Sequence, residues 1–214
     1  MMNILFVTDY VCPYCLVAKR ALEEALKETG IQASIQIQPF ELTREPRERV
    51  DVCHDEERKK HYQILVEPAK SLGLSMKMPP AVCPRPYTRL AFEGLFFAKK
   101  MGLGEKYSDL VYRAYFEKEQ DIGDLDVLCA IAEEAGLDKW AYRQALEEGT
   151  YRQQEKEAAD YSGEVLKVTG VPTIYIEGRQ ISIEHYTKEE MVQILGEGQE
   201  ASVKGMCCGI DGCN

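Results

Sequence analysis

Two cysteines near the N-terminus, Cys12 and Cys15, are the residues of this sequence best suited to chemistry. Pro13 and Tyr14 lie between them, at the point where an apolar run gives way to a helical pattern. Two thiols three positions apart at such a junction are typical of a redox dithiol. Pro13 suits the first position of a helix, because its missing N–H would have no partner there. The sequence therefore predicts that Cys12 is the N-cap of a helix.

The position of Cys12 predicts its role. An N-cap faces the unpaired N–H groups and the positive end of the helix dipole, and both stabilise a thiolate. Cys15, one turn further on, is shielded but close enough to close a small disulfide ring. We therefore expect Cys12 to be the nucleophile and Cys15 the resolving thiol. The alternatives are two inert core thiols or half of a zinc site, and a zinc site would need a second pair at suitable spacing.

The composition is that of an ordinary globular protein. Of its 214 residues, 45% are hydrophobic and 29% are charged. The net charge of -10 argues against nucleic acid or an anionic membrane as a partner. No apolar run reaches the roughly 18 residues of a transmembrane helix. The apolar N-terminus lacks the basic start and cleavage site of a signal peptide, so we expect a cytoplasmic protein.

Hydrophobic patterns predict strands at both ends of the chain. Residues 4–7 are uniformly apolar, as in a central strand, and residues 31–38 alternate between apolar and polar types. With the helix between them they form a βαβ unit, so these strands should be parallel. After Pro172, residues 174–183 have the pattern of a hairpin. A capping box at Thr187 then predicts a final helix.

The middle of the chain shows helical patterns and no strand. One helix is expected from Asp55, kinked near Pro68, and Asp124 should cap another. The pattern predicts an α/β, thioredoxin-like fold with an inserted all-α domain. Residues 1–43 and 165–198 should form a discontinuous thioredoxin-like domain. Residues 44–164 should form the helical insertion, and residues 199–214 a flexible Cys-rich tail.

The Cys-Pro-Tyr-Cys opening, the long helical stretch and Val171-Pro172-Thr173 resemble the DsbA superfamily of thiol–disulfide oxidoreductases, and more narrowly its FrnE-like branch. The supporting stretches are Asp9, Pro39-Phe40-Glu41-Leu42, Ala114-Tyr115-Phe116 and Asp121-Ile122-Gly123-Asp124. The resemblance implies that Pro172 is a cis-proline facing the dithiol. It also implies that the backbone of Val171 pairs with a substrate strand, with Thr173, Pro13 and Tyr14 beside it.

The expected activity is disulfide exchange as an oxidoreductase or isomerase. Protein or small-molecule thiols and disulfides are the expected partners, with glutathione or another thiol as reductant. No cofactor is required, because the cysteine pair carries the electrons. Tyr14 stands where the FrnE-like branch more often has Trp, and Cys-Pro-Tyr-Cys is also the glutaredoxin form, so the direction of electron flow is left open.

Three further cysteines, Cys207, Cys208 and Cys213, stand near the C-terminus. Cys208 and Cys213 have the Cys-x4-Cys spacing of a second dithiol found in some FrnE-like proteins, and we expect them to form a second redox pair. Soft-metal or zinc binding and an inert tail are the alternatives. The alternative function for the whole chain is therefore a metal-thiolate binding protein that uses these tail cysteines.

The remaining cysteines are expected to have no catalytic role. Cys129 lies on an apolar helix face and should be core. Cys53, beside His54, fits a solvated helix start better than a metal fragment. Cys83, between prolines, is placed along the active-site cleft. Structural bridges are not expected in a reducing compartment. Asp9 is expected either to assist proton transfer near the dithiol or to hold the end of its strand.

Overall fold

The fold contains four strands and nine α-helices in the part of the chain that the structure, a computed structural model, describes: residues 1–204, with side chains for 1–197. The strands are β1 (Met2–Thr8), β2 (Ala33–Pro39), β3 (Thr173–Ile176) and β4 (Arg179–Ile181). The helices are α1 (Pro13–Thr29), α2 (Glu56–Tyr62), α3 (Val66–Ser71), α4 (Arg89–Lys100), α5 (Gly104–Phe116), α6 (Leu125–Ala135), α7 (Lys139–Glu147), α8 (Arg152–Asp160) and α9 (Lys188–Lys204). A 3-10 turn (Gln63–Leu65) joins α2 to α3, and a π-helical turn (Tyr161–Val165) follows α8. None of these helices has the length and apolar character needed to cross a bilayer.

The four strands form one sheet in the order β2-β1-β3-β4. Strands β1 and β2 are parallel and align Ile4 with Ile35, which confirms the predicted βαβ unit. Strand β3 runs antiparallel to β1 and places Thr173 opposite Val7. Strand β4 completes the hairpin at the edge. The predicted α/β, thioredoxin-like fold class is confirmed.

Helix α1 begins and ends as its sequence predicts. Pro13 is its first residue, and Gly30 ends it in the left-handed conformation, with φ of 66°. One face is fully buried, and it carries Ala18, Ala21, Leu22 and Ala25. Helix α9 packs against α1, so the C-terminal helix supports the helix that bears the dithiol.

The expected single, kinked helix after Asp55 is wrong. The chain forms two short helices, α2 and α3, separated by the 3-10 turn. Pro68 has no N–H to donate, and its ring crowds the carbonyl four residues earlier, at Ile64. The break falls at that carbonyl, and Pro68 itself sits in the first turn of α3.

Helices α4 and α5 pack on the end of β1 that leads to the dithiol. Tyr10 follows β1, and its ring stacks on Phe92 of α4 with a centroid distance of 4.6 Å. Its edge contacts Tyr112 of α5 at 5.0 Å. The hydroxyls of Thr8 and Tyr112 share a buried hydrogen bond of 2.5 Å. The side chains of the sheet and of these helices therefore belong to one continuous core.

Candidate dithiol active site

The dithiol lies at the N-terminal end of α1. Cys12 is the N-cap, with extended dihedrals of φ -94° and ψ 114°, as predicted. The backbone N–H of Cys15 donates to the carbonyl of Cys12 at 3.1 Å, so the two residues stand one turn apart. Cys12 is only 4% exposed and Cys15 is fully buried. The pair is therefore close together, with Cys12 on the outer side.

The loop before β3 lies against Cys12. Because Thr173 pairs with Val7, the residues before Thr173 lie beside those that follow β1. The Val171–Pro172 peptide bond is cis, as the resemblance implied. The Cys12 thiol donates a hydrogen bond to the Val171 carbonyl, with an Sγ–O distance of 3.5 Å. In this state the Cys12 side chain accepts no capping hydrogen bond from α1, so its sulfur is directed to the loop rather than to the helix N–H groups.

Cys15 occupies a dry environment beneath Cys12. Burial is the main cause that raises the pKa of the Cys15 thiol well above 9.0, and its interaction with Cys12 raises that pKa further. The nearby Thr8 hydroxyl opposes this rise and lowers the pKa of Cys15. Cys15 is consequently a protonated thiol at neutral pH in the reduced protein.

Three tyrosines surround the outer side of the dithiol. The ring of Tyr14 lies 6.1 Å from that of Tyr62 and 5.4 Å from that of Tyr186. Burial, followed by the negative charge that Cys12 carries as a thiolate, raises the pKa of Tyr186 to about 12. Burial likewise raises the pKa of Tyr14 and Tyr62. All three phenols are therefore neutral at physiological pH and present a half-apolar rim to a substrate.

Asp9 is buried at the end of β1. Burial raises the pKa of its carboxyl group, while hydrogen bonds lower it. The Asp9 carboxylate accepts the Leu42 N–H at 2.7 Å, and its backbone carbonyl accepts the Cys12 N–H at 3.1 Å. Asp9 thus fixes the turn that presents Cys12. This contact supports the structural role among the two that the sequence left open.

Cys53 and Cys83 form a disulfide with a Cα–Cα distance of 6.1 Å. This corrects two expectations, since Cys53 is more than a solvated helix start and the chain does contain a bridge. The sulfur of Cys83 is bonded to Cys53, and the expected position of Cys83 along the dithiol cleft stays a prediction. The pairing joins two loops that are 30 positions apart, and no local spacing signals it.

The other cysteines divide into two groups. Cys129 is fully buried in α6, as expected for a core residue. Cys207, Cys208 and Cys213, including the predicted second redox pair, lie outside the described residues. Sequence reasoning missed Thr8, Tyr62 and Tyr186 as neighbours of the dithiol. Only the position of Thr8, at the end of the strand that feeds the dithiol, could have indicated it.

A dithiol at the first helix of a four-stranded α/β sheet, facing a proline loop, defines a thioredoxin-like protein. The model of the DSBA-like thioredoxin domain matches residues 3–191. The chain therefore belongs to the DSBA-like thioredoxin domain family.

Several known proteins are similar to this chain. The uncharacterized protein YwbO of Bacillus subtilis (strain 168) is 41% identical over 170 residues, which are 79% of this chain and 84% of YwbO. The probable DsbA oxidoreductase SCO1869 of Streptomyces coelicolor superposes with a TM-score of 0.79 at 24% identity, covering 100% of this chain and 99% of that one. The cytosolic disulfide reductase DsbM of Pseudomonas aeruginosa superposes with a TM-score of 0.69 at 15% identity, covering 93% and 99%, and its structure is also known with glutathione. These structural similarities indicate a shared fold.

Proposed function

We propose that this protein is a thiol–disulfide oxidoreductase that exchanges disulfides through Cys12 and Cys15. The observation that carries the proposal is the position of Cys12, an N-cap whose sulfur lies 3.5 Å from the Val171 carbonyl and one turn from Cys15. This arrangement supplies a nucleophile, a resolving thiol and a backbone that can receive a substrate. Membership of the DSBA-like family supports the same assignment.

The first step is attack by the Cys12 thiolate on one sulfur of a substrate disulfide. A bond forms between Cys12 Sγ and that sulfur, the substrate S–S bond breaks, and the departing thiolate takes up a proton. The substrate chain lies along the Val171–Pro172 loop, where the Val171 carbonyl can accept a backbone N–H. Pro13, Tyr14 and Thr173 border this position.

The second step is resolution by Cys15. Cys15 loses its proton and attacks Cys12 Sγ, which releases the reduced substrate as a thiolate and leaves the Cys12–Cys15 disulfide. Run in reverse, the two steps oxidise a substrate dithiol. Burial keeps the pKa of Cys15 high, but in the mixed disulfide Cys12 carries no negative charge, so one cause of the raised pKa is removed and the Cys15 thiolate forms more readily.

Protein and small-molecule disulfides are the proposed substrates, and glutathione is the proposed thiol that returns the protein to its dithiol form. The glutathione-bound structure of DsbM motivates the choice of glutathione. The pair Cys208–Cys213 is proposed to relay electrons to or from Cys12–Cys15. Exchange of the tail cysteines for serine tests that relay, which an unchanged turnover would exclude.

The insulin-reduction assay tests the assignment of Cys12. Cys12→Ser should abolish reduction, because serine cannot form the mixed disulfide. Cys15→Ser should instead accumulate a mixed disulfide with glutathione, detected by intact-protein mass spectrometry. Cys129→Ala is the matched control, since it removes a buried free cysteine away from the dithiol and should retain activity. Activity retained by Cys12→Ser would disprove the proposed nucleophile.

A further inference from the structure

The segment from residue 54 to residue 82, called here the covering segment, lies over the helix that bears the dithiol. The Tyr14 hydroxyl donates a hydrogen bond to the His61 carbonyl at 3.0 Å. Leu65 and Ala69 of this segment form a small buried cluster with Val17 of α1. Cys12, at the end of the same helix, is only 4% exposed. Tyr62 of this segment contacts Tyr14 and lies close enough to Cys12 for the charge of that sulfur to raise the Tyr62 pKa, so the segment borders the nucleophile.

The Cys53–Cys83 disulfide joins the two ends of the covering segment and closes it into a ring. The later part of the segment has anchors of its own. The Lys77 N–H donates to the Phe116 carbonyl at 2.8 Å, and the Ala81 N–H donates to a Glu119 carboxylate oxygen at 2.7 Å. The earlier part, with α2 and the 3-10 turn, is held by the disulfide at Cys53 and by its contacts with α1, and just before it the Val50 carbonyl accepts the Arg85 N–H at 2.9 Å.

The earlier part of the covering segment is only partly buried. Tyr62 and Leu65 are buried, but Ile64 is 61% exposed and Val66 is 40% exposed, so the apolar packing of this part rests on few side chains. Segments with few buried apolar contacts open locally at low free-energy cost. A cross-link restricts such opening by limiting the conformations that the freed chain can reach.

The disulfide is accessible to a small thiol. Cys83 is exposed and Cys53 is half-buried, and Asp51 and His54 stand beside them. Asp51 fixes the turn at Cys53 by accepting its N–H at 3.0 Å. The Pro80 carbonyl oxygen lies 3.7 Å from Cys53 Sγ, within reach of a hydrogen bond from the reduced Cys53 thiol. The site can thus receive an attacking thiol at Cys83 and accommodate the thiol released at Cys53.

We propose that Cys53–Cys83 is a second thiol-exchange site, whose reduction by a low-molecular-weight thiol frees the earlier part of the covering segment and exposes Cys12 to protein substrates. A thiolate attacks Cys83 Sγ, the Cys53–Cys83 bond breaks, and Cys53 takes up a proton. A second thiol attacks the sulfur derived from the first, releasing a small-molecule disulfide and the Cys83 thiol. Two small thiols are oxidised and one protein disulfide is reduced. The part concerning substrate access rests on the proposed function of Cys12.

The chemical part is tested by incubating the full-length protein in glutathione buffers of increasing reducing strength. Differential alkylation with peptide mass spectrometry reports the redox state of each cysteine separately. We expect the Cys53–Cys83 bond to open in millimolar reduced glutathione. A bond that stays intact there while Cys12–Cys15 is fully reduced would overturn the proposal.

The access part is tested by the rate at which a bulky polymer-linked maleimide labels Cys12. The parent is Cys15→Ser, in which Cys12 has lost its disulfide partner and stays a free thiol. The test variant adds Cys53→Ala and Cys83→Ala. Labelling should accelerate at least about fivefold, as expected for easier local opening. The matched control adds Cys129→Ala to the parent and should leave the rate unchanged. Equal rates in parent and test variant would overturn the proposal.

Amide hydrogen exchange of the wild-type protein guards against misfolding of the triple variant. Exchange in residues 54–72 should be faster after glutathione has opened Cys53–Cys83, with little change in α4 and α5. Unchanged exchange in 54–72 would overturn the proposal. Labelling and exchange require no turnover, so they are independent of the insulin assay. If insulin reduction depends on Cys12 but labelling does not change, the oxidoreductase assignment stands and the second site is rejected.

Discussion

The thiol of Cys12 donates a hydrogen bond to the carbonyl of Val171, 159 positions later in the chain, across a distance of 3.5 Å. The thiolate of Cys12 has no proton to donate, so formation of the nucleophile frees this carbonyl. The same carbonyl is then available to accept a backbone N–H from a substrate. Ionisation of the sulfur and reception of the substrate chain are thereby linked at one oxygen.

A substrate peptide with one methylated backbone nitrogen tests this link. In a set of disulfide-bonded peptides, each with a single N-methyl group near the cysteine, one position should lower kcat/KM by about fivefold to tenfold, the value of one hydrogen bond. Neighbouring positions, whose N–H groups point away from the Val171 loop, are the controls. Uniform kcat/KM values across the set would contradict strand-like pairing at Val171.

Removal of the Thr8 hydroxyl should slow the resolving step. In Thr8→Val, the Cys15 thiolate loses a hydrogen-bond donor, so the pKa of Cys15 should rise further and resolution should slow by about tenfold. Acid-quenched reactions should then contain more mixed disulfide at Cys12. Thr8→Ser keeps the hydroxyl and is the control. Equal amounts of mixed disulfide in the valine and serine variants would contradict the role of Thr8.

A buried carboxyl should make the stability of the protein depend on pH. Burial, followed by the negative charge of Glu41, raises the pKa of Glu155 from 4.5 to about 8. The folded state therefore binds a proton more tightly than the unfolded state, and this contribution to stability is lost as pH rises from about 4.5 towards 8. We expect Glu155→Gln to raise the free energy of unfolding at pH 8 by about 2 kcal/mol, with little change at pH 4.5.

Urea unfolding at both pH values measures this difference. Glu157→Gln, on the exposed side of the same helix, removes one negative charge without removing a buried carboxyl and is the control. A gain of the same size in both variants, or at both pH values, would show that the Glu155 carboxyl does not titrate as described.

Helix α4 requires glycine at position 94. A Cβ at Gly94 would overlap the hydroxyls of Tyr107 and Tyr142, which are hydrogen bonded to each other at 2.7 Å. Gly94→Ala should therefore destabilise the protein by about 3 kcal/mol in urea unfolding. Gly163→Ala is the control, because a Cβ there meets open space. Similar stability in the two variants would mean that the tyrosine pair relaxes without cost.

The elements that depend on local signals were predictable from the sequence. The spacing of Cys12 and Pro13 was sufficient to place the N-cap of α1, and the alternation over residues 31–38 was sufficient for β2. Contacts set by the packing of distant loops were not predictable. The Cys53–Cys83 bond and the approach of Tyr62 to Tyr14 depend on how the loops before α2 and after α3 bring these short helices back onto α1. The prediction that Pro172 is a cis-proline facing the dithiol came from the family resemblance and not from residue spacing.

The packing of Tyr10 against Phe92 and Tyr112 has a consequence for protein engineering. In a chimera that joins the helical region of one relative to the strands of another, Tyr10 would come from one parent and the other two rings from the other parent. The aromatic side chains of the two parents would then not pack well against each other. Because Cys12 lies only two residues beyond Tyr10, such a packing defect would lie close to the dithiol. Such exchanges should therefore transfer all three aromatic residues together, as one block.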